Sequence, residues 1–195
     1  MSLTRRLFLA SALASTLSAC GLPRGGPPPR ANEAEIAALA RAIAALSPSV
    51  SAEEAARAAR VTYEETYRLA LAYEITDPPL IHNSKVNAGL RSRGLCWHWA
   101  EDLQKRLSAE NFATLDLHRA IANGDNRLII DHSTLIVSAK GADMMDGIVL
   151  DPWRGAGVLF WSTVRDDPRY DWEPREEVLR RNGRVRYVRA GMTDD

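Results

Sequence analysis

The sequence predicts an α+β fold, in which N-terminal helices and a helix that begins at a cysteine pack on an antiparallel sheet. Two observations predict it. Apolar residues recur at helical spacing from Glu33 to about Ala109, and beyond that point the period shortens toward two. Helices first and strands afterwards is an order that suits α+β architecture and does not suit a doubly wound parallel sheet. Size and composition agree. The chain has 195 residues, 46% hydrophobic and 26% charged, enough for one domain whose core needs no disulfide staples.

Asn32 can cap a helix running from Glu33 to about Leu46, with Ile36, Leu39, Ala40 and Ile43 on one face. Pro48 ends it. Ser51-Ala52-Glu53-Glu54 and Thr62-Tyr63-Glu64-Glu65 both have the form of a capping box, so two helices are expected, near 52–59 and 63–75. Pro78 and Pro79 then forbid helix, and a loop of about fifteen residues runs to Leu95, a length at which loops are often functional. Cys96 to Ala109 reads as a helix with Trp99, Leu103 and Leu107 on one face. Strands are expected at Phe112–Arg119, Arg127–Ser138, Ile148–Asp151 and Val158–Val164, with a turn at Gly124-Asp125-Asn126. A short helix at Glu176–Arg181, a turn at Asn182-Gly183 and a last strand at Arg184–Arg189 complete the chain. The tract Arg165–Asp171 mixes charge signs and reads as a solvated surface loop.

The first twenty residues read as an export signal rather than part of the fold. Arg5 and Arg6 form the positive start, Leu7 to Leu17 the apolar stretch, and small residues precede Cys20. Thr4-Arg5-Arg6-Leu7-Phe8-Leu9 resembles the twin-arginine export motif. Leu17-Ser18-Ala19-Cys20 resembles the bacterial lipobox, which implies a lipid on Cys20. Each buried methylene of such a lipid contributes about 0.8 kcal/mol, so more than one acyl chain holds a domain on a membrane. Gly21, where an Asp would divert the protein, implies outer-membrane delivery facing the periplasm. Residues 21–31 are rich in Pro and Gly and read as a tether, leaving 32–195 as the folded domain.

Lys+Arg is 25 and Asp+Glu is 25. The signal segment carries Arg5 and Arg6 and no acid, so the remainder is slightly acidic. No basic field is present for nucleic acid, which excludes an electrostatically driven nucleic-acid partner. Two cysteines exclude a disulfide framework and a four-thiolate zinc site.

With Cys20 lipidated, Cys96 is the remaining thiol. A Gly-containing loop, Arg93-Gly94-Leu95, runs straight into the helix that begins at Cys96. A helix N-terminus presents free N–H groups and partial positive charge, which stabilise a thiolate and can hold the oxyanion of an acyl-transfer intermediate. The alternative is a buried structural cysteine. His132 lies in the long apolar strand and Asp151 ends the next one. A four-residue hairpin loop, Lys140–Asp143, pairs Ala139 with Met144 and, farther back along both strands, His132 with Asp151. Their Cβ atoms would then lie roughly 5 Å apart on one face. That is the geometry in which a carboxylate fixes one ring nitrogen while the other faces a thiol. Asp131 is the rival orienter, but as the neighbour of His132 on a strand it points to the opposite face. A core histidine and a turn-capping aspartate are the plainer alternative.

These residues resemble a family. Gly94-Leu95-Cys96-Trp97-His98-Trp99-Ala100 is similar to the Gly-x-Cys-Trp-x-aromatic-Ala segment of the transglutaminase-like superfamily, relatives of the papain-like cysteine peptidases. Leu150-Asp151-Pro152 resembles that family's strand-ending Asp, and His132 lies on the strand between. The resemblance covers about residues 91–153 and implies Cys96 as nucleophile, His132 as general base and acid, and Asp151 as orienter. It implies acyl transfer on peptide or isopeptide amides, without a cofactor. Water as acceptor would make the protein a peptidase or amidase, and an amine a crosslinking transferase. The expected partners are a peptide or protein substrate in the cell envelope and the membrane itself, through Cys20. A different class of function, an envelope binding or assembly lipoprotein using the same fold without turnover, remains the alternative.

Asn83, Asn87 and His82 are candidates for the second oxyanion donor. Trp97 and Trp153, which follow the nucleophile and closely follow the orienter, are candidates to line a substrate groove. His82, Cys96, His98 and His118 match no usual zinc spacing, and Cys96 and His98 diverge on a helix, so no metal site is expected.

Overall fold

The computed structural model describes residues 26–125 and 129–184. The segment read as an export signal, Cys20 and the first half of the stretch read as a tether lie outside these residues, as do all but the first residue of the expected strand 184–189. Residues 26–31 form neither helix nor strand, and they do not hang free. Pro28 is buried against Ala70 and Gly157, and the Arg30 guanidinium lies 4.1 Å from the Tyr67 ring centroid.

Helix α1 spans Glu33–Ala44, closed at its start by a capping box between Asn32 and Glu35. It buries Ile36, Leu39 and Ile43. Helix α2 spans Ala52–Ala72 without a break, although two helices were expected. Thr62, read as a cap, instead donates its hydroxyl to the Ala58 carbonyl at 2.7 Å, a bond made inside a continuing helix. Ser51 does cap α2 through the Glu54 N–H. The Glu54 carboxylate does not fold back. It accepts from the Ala113 and Thr114 N–H groups and the Thr114 hydroxyl, tying α2 to the start of the sheet.

The expected loop after Pro78 contains a helix, α3, Pro79–Asn87. Pro79 sits at its first position, where a missing N–H costs nothing and the ring's fixed φ suits the helix. Helix α4 spans Cys96–Ser108 and buries Trp99, Leu103 and Leu107.

Five strands form one antiparallel sheet: β1 Leu115–Ala122, β2 His132–Ala139, β3 Ile148–Asp151, β4 Phe160–Thr163 and β5 Glu173–Pro174, in the order β4-β3-β2-β1-β5. Helix α5, Arg175–Arg181, follows β5 directly. The α+β class is therefore observed, while several bounds differ. β2 starts at His132 rather than near Arg127, β1 is shifted toward its C-terminal end, and the two-residue edge strand β5 was not foreseen. An edge position tolerates Pro174, which has no N–H to give to a ladder.

Helices α1, α2 and α4 cover one face of the sheet, with Leu39, Ala58, Leu103, Leu135, Val137 and Leu150 in their shared core. On the opposite face, Ala120, Ala122, Ile136 and Val149 of the sheet pack against Val164 and Trp172 from the chain that follows β4. β2 is thus buried on both faces, and all eight of its residues are buried. That is why its apolar residues Leu135, Ile136 and Val137 are consecutive and do not alternate with polar ones. Among the described residues, no helix is long and apolar enough to cross a membrane.

The hairpin joining β2 and β3 corrects the expected register. Leu135 pairs with Leu150 and Val137 with Ile148, so the pairing is displaced by two residues. The connection is longer than a tight four-residue loop because Met144–Asp146 form a 3-10 turn within it. Gly147 closes it, since a Cβ there would lie 2.7 Å from both the Ile136 side chain and the Val137 carbonyl. A displacement of two keeps every side chain on its own face. His132 and Asp151 therefore remain on the same side, as diagonal rather than direct neighbours.

Candidate functional site

Every residue of the loop entering α4 is tied down. The His98 ring, one turn into the helix, accepts from the Gly94 and Leu95 N–H groups through Nδ1 at 3.1 and 3.2 Å. Burial first, and then the positive charge of Arg93, lower its pKa to about 4, so the ring stays neutral and keeps that lone pair free to accept. Trp99 Nε1 donates to the Gly94 carbonyl, and His82 Nε2 donates to the Arg93 carbonyl. Arg93 itself forms ion pairs with Asp102 and Glu101. Gly94 has φ +122, and a Cβ at that position would lie 2.2 Å from His82 Nε2. Only glycine fits both the backbone angle and the contact.

The result is a cysteine held at the first position of a helix. The leading N–H groups of α4 have no carbonyl one turn earlier within the helix, and its dipole favours negative charge there. Cys96 is 7% exposed and packs with Leu69, Tyr73, Trp99 and Trp153. Its Sγ donates to the Asp131 carbonyl at 3.7 Å.

His132 opens β2 and is 2% exposed. Its Nε2 lies 2.6 Å from Asp151 Oδ2, the diagonal contact set by the register. Its Nδ1 is buried and makes no hydrogen bond of ordinary geometry. Three aromatic rings enclose the imidazole, with centroids 4.6 Å away for Trp153 and for Tyr170 and 5.4 Å for Trp172. Burial disfavours the charged ring. The charge and hydrogen bond of Asp151, together with the nearby Cys96 side chain, outweigh burial and raise the pKa of His132 to about 9. At neutral pH a cation therefore stands beside the sulfur, an environment that stabilises a thiolate.

Asp151 is held from behind by a group that sequence reasoning missed. Arg154 donates its backbone N–H and its Nε to the two oxygens of Asp151, at 3.1 and 3.0 Å. Its two terminal nitrogens make a bidentate pair with Asp167, at 2.9 and 2.7 Å. The Asp167 side chain is fully buried and also accepts from the Arg169 and Tyr170 N–H groups and from Trp172 Nε1. Arg165–Asp171 is thus not a solvated loop throughout. Its central aspartate is a buried hub that lays Tyr170 and Trp172 against the catalytic candidate His132. Mixed charge signs concealed this, because each was read as meeting water rather than another residue. The aromatics Tyr170 and Trp172 were the available signal.

The remaining candidates are dispersed. Asn83 accepts from Trp153 Nε1 at 3.1 Å, so its amide oxygen positions the indole that packs on His132. Asn87 is exposed at the end of α3. Trp97 is 45% exposed and leans on the His98 ring, centroid to centroid 3.8 Å. The Asp131 carboxylate pairs with Arg184 at 2.9 Å, leaving the orienting position to Asp151. His118 is bonded to Ser138 on the sheet. Among the described residues, no three His, Cys, Asp or Glu side chains are grouped to hold a metal. A cavity of about 410 Å³ opens beside β1, lined by Gln104, Leu117, Arg119, Pro174 and Glu176 among others. Cys96 does not line it.

Compared with family models, curated proteins and solved structures, the chain matches none.

Proposed function

We propose that the protein is a cysteine acyl-transfer enzyme acting on peptide or isopeptide amides, with Cys96 as nucleophile, His132 as general base and acid, and Asp151 as orienter. The observation that carries this reading is the buried His132–Asp151 pair bearing on a cysteine at a helix N-terminus. Nε2 is committed to Asp151, so Nδ1 is the atom that exchanges the proton. With His132 protonated, the proton of the thiol–imidazole pair already sits on Nδ1. The Cys96 thiolate beside it forms a bond to the amide carbonyl carbon while the carbonyl π electrons move to oxygen. The carbon–nitrogen bond then breaks, Nδ1 gives its proton to the departing amine, and a thioester remains. Water or a second amine attacks that thioester with its proton taken by Nδ1, and the thiol is restored as the product leaves. In this reading the N–H groups of Cys96 and Trp97, the first of α4, receive the charge on the carbonyl oxygen.

The lipobox-like Leu17–Cys20 segment supports a lipid-anchored location in the cell envelope, outer membrane facing the periplasm, with envelope peptides as substrates. Incorporation of labelled palmitate, lost in Cys20→Ser, checks the anchor.

Iodoacetamide tests the site. Cys96 should be alkylated near neutral pH far faster than a free small-molecule thiol, and His132→Ala should slow it at least tenfold. A second reading, a binding or assembly lipoprotein without turnover, draws on the low exposure of Cys96 and its apolar neighbours. Ordinary thiol reactivity that ignores His132 would select that reading.

A further inference from the structure

Arg119 is a cation without a carboxylate. It lies on β1 opposite Leu135, on the sheet face that α4 covers. Nη2 reaches the carbonyl of Trp97, the residue after Cys96, at 3.4 Å, and Nη1 reaches Gln104 Oε1 at 3.5 Å. Both are neutral acceptors at long range, and Nε is buried with no partner at all. No carboxylate of a described residue comes within ion-pair distance. The two nearby acids are engaged elsewhere, Glu101 with Arg93 at 3.0 Å and Glu176 with Arg175 at 3.5 Å. Burial, and then the charge of Arg175, lower the Arg119 pKa to about 10, which still leaves a cation at neutral pH.

Arg119 is half-buried, with Nε fully buried and the terminal nitrogens open toward solvent, and a guanidinium partly withdrawn from water normally meets a carboxylate. Here the side chain lines the cavity beside β1, where a ligand can arrive from solvent. A planar fork of N–H donors suits a carboxylate held by two parallel hydrogen bonds.

We infer that Arg119 is a specificity residue that anchors a free carboxylate of the substrate close to the amide attacked by Cys96. This deepens the acyl-transfer reading and rests on it. The substrate class is then a peptide carrying a carboxylate near the scissile bond, either its C-terminus or an acidic side chain.

Two alkylating reagents test the anchor without knowledge of the natural substrate. Iodoacetate carries the carboxylate and iodoacetamide does not. In the wild-type protein the iodoacetate-to-iodoacetamide rate ratio should exceed that of a free thiol about tenfold or more. Arg119→Gln should remove most of that preference, and Arg119→Lys should retain part of it. Any effect of the substitutions on the thiolate acts on both reagents and divides out. The His132 charge also favours iodoacetate but is common to wild type and variants, so the fall in ratio on Arg119→Gln isolates Arg119. A ratio in Arg119→Gln equal to that of the wild type overturns the inference. So does a wild-type ratio no higher than a free thiol's, which needs no variant to fold. Protection of wild-type Cys96 from iodoacetamide identifies the source. Protection by N-acetyl-dialanine but not its amide supports a C-terminal carboxylate, and protection by N-acetyl-aspartyl-alanine amide supports an acidic side chain. No protection by either peptide at millimolar concentration counts against the anchor. Failure of the acyl-transfer reading looks different: slow iodoacetamide labelling that is indifferent to His132.

Discussion

Replacing Asp151 by Asn keeps the shape of the orienter but removes its charge and one of the two oxygens that accept from Arg154. His132 has its pKa raised from 6.5 to about 9 against a burial cost that acts the other way. At about 1.4 kcal/mol per unit, the protonated ring is favoured in the fold by roughly 3 kcal/mol. Because the folded pKa lies above the unfolded one, this contribution is fully present below pH 6.5 and is lost as pH rises through about 9. In Asp151→Asn the opposing burial remains and the charge that overcame it does not. The His132 midpoint should then fall below 6.5, and the loss of stability between pH 6.5 and 9 should disappear. Titration of the His132 ring protons by NMR measures the first quantity, and urea unfolding across that pH window measures the second. A midpoint that stays near 9 in Asp151→Asn would refute the claim that Asp151 holds the proton on the ring.

Three further outcomes follow from the same geometry. Arg154→Met leaves Asp167 buried without its cation and should cost about 3–5 kcal/mol in urea unfolding, the usual penalty for breaking a buried pair. Tyr170 and Trp172 should loosen around His132 in that variant, visible as faster amide exchange over 167–172. Gly94→Ala should destabilise the fold and slow Cys96 alkylation, because φ +122 and the His82 contact both oppose a Cβ. Glu54→Gln should cost about 1–3 kcal/mol, since a buried carboxylate bonded to Ala113 and Thr114 loses charge-assisted bonds. Burial raises the Glu54 pKa, but the Thr114 and Ala113 bonds and Arg57 hold it below 4.5. Its stabilisation is therefore present above pH 4.5 and fades as pH falls through the lower folded value, so Glu54→Gln should flatten the acid limb of the unfolding profile.

Much of the fold was legible because short-range signals sufficed. Asn32 and Glu35 met as a capping box, Cys96 began its helix, and β3 ran from Ile148 to Asp151. Local signals failed where context overrode them. Thr62 could cap or bond backward, and the packed helix continued through it. Pro79 could break a helix or open one, and it opened α3. In the site, the facing of His132 and Asp151 survived an error in register, because a displacement of two preserves parity.

Period, caps and residue order were written in the chain itself: helices before strands, a thiol at a helix start, an imidazole and a carboxylate on successive strands. Only tertiary structure decided what stands behind them. Arg154 and Asp167 are separated along the chain and carry charges that would be soluble anywhere, so nothing local marks them as partners. Arg119 looks like any strand-surface arginine until α4 covers it and leaves it unpaired. Periodicity reports which face a residue takes, whereas the pairing of charges depends on which surfaces meet, and that is settled by packing.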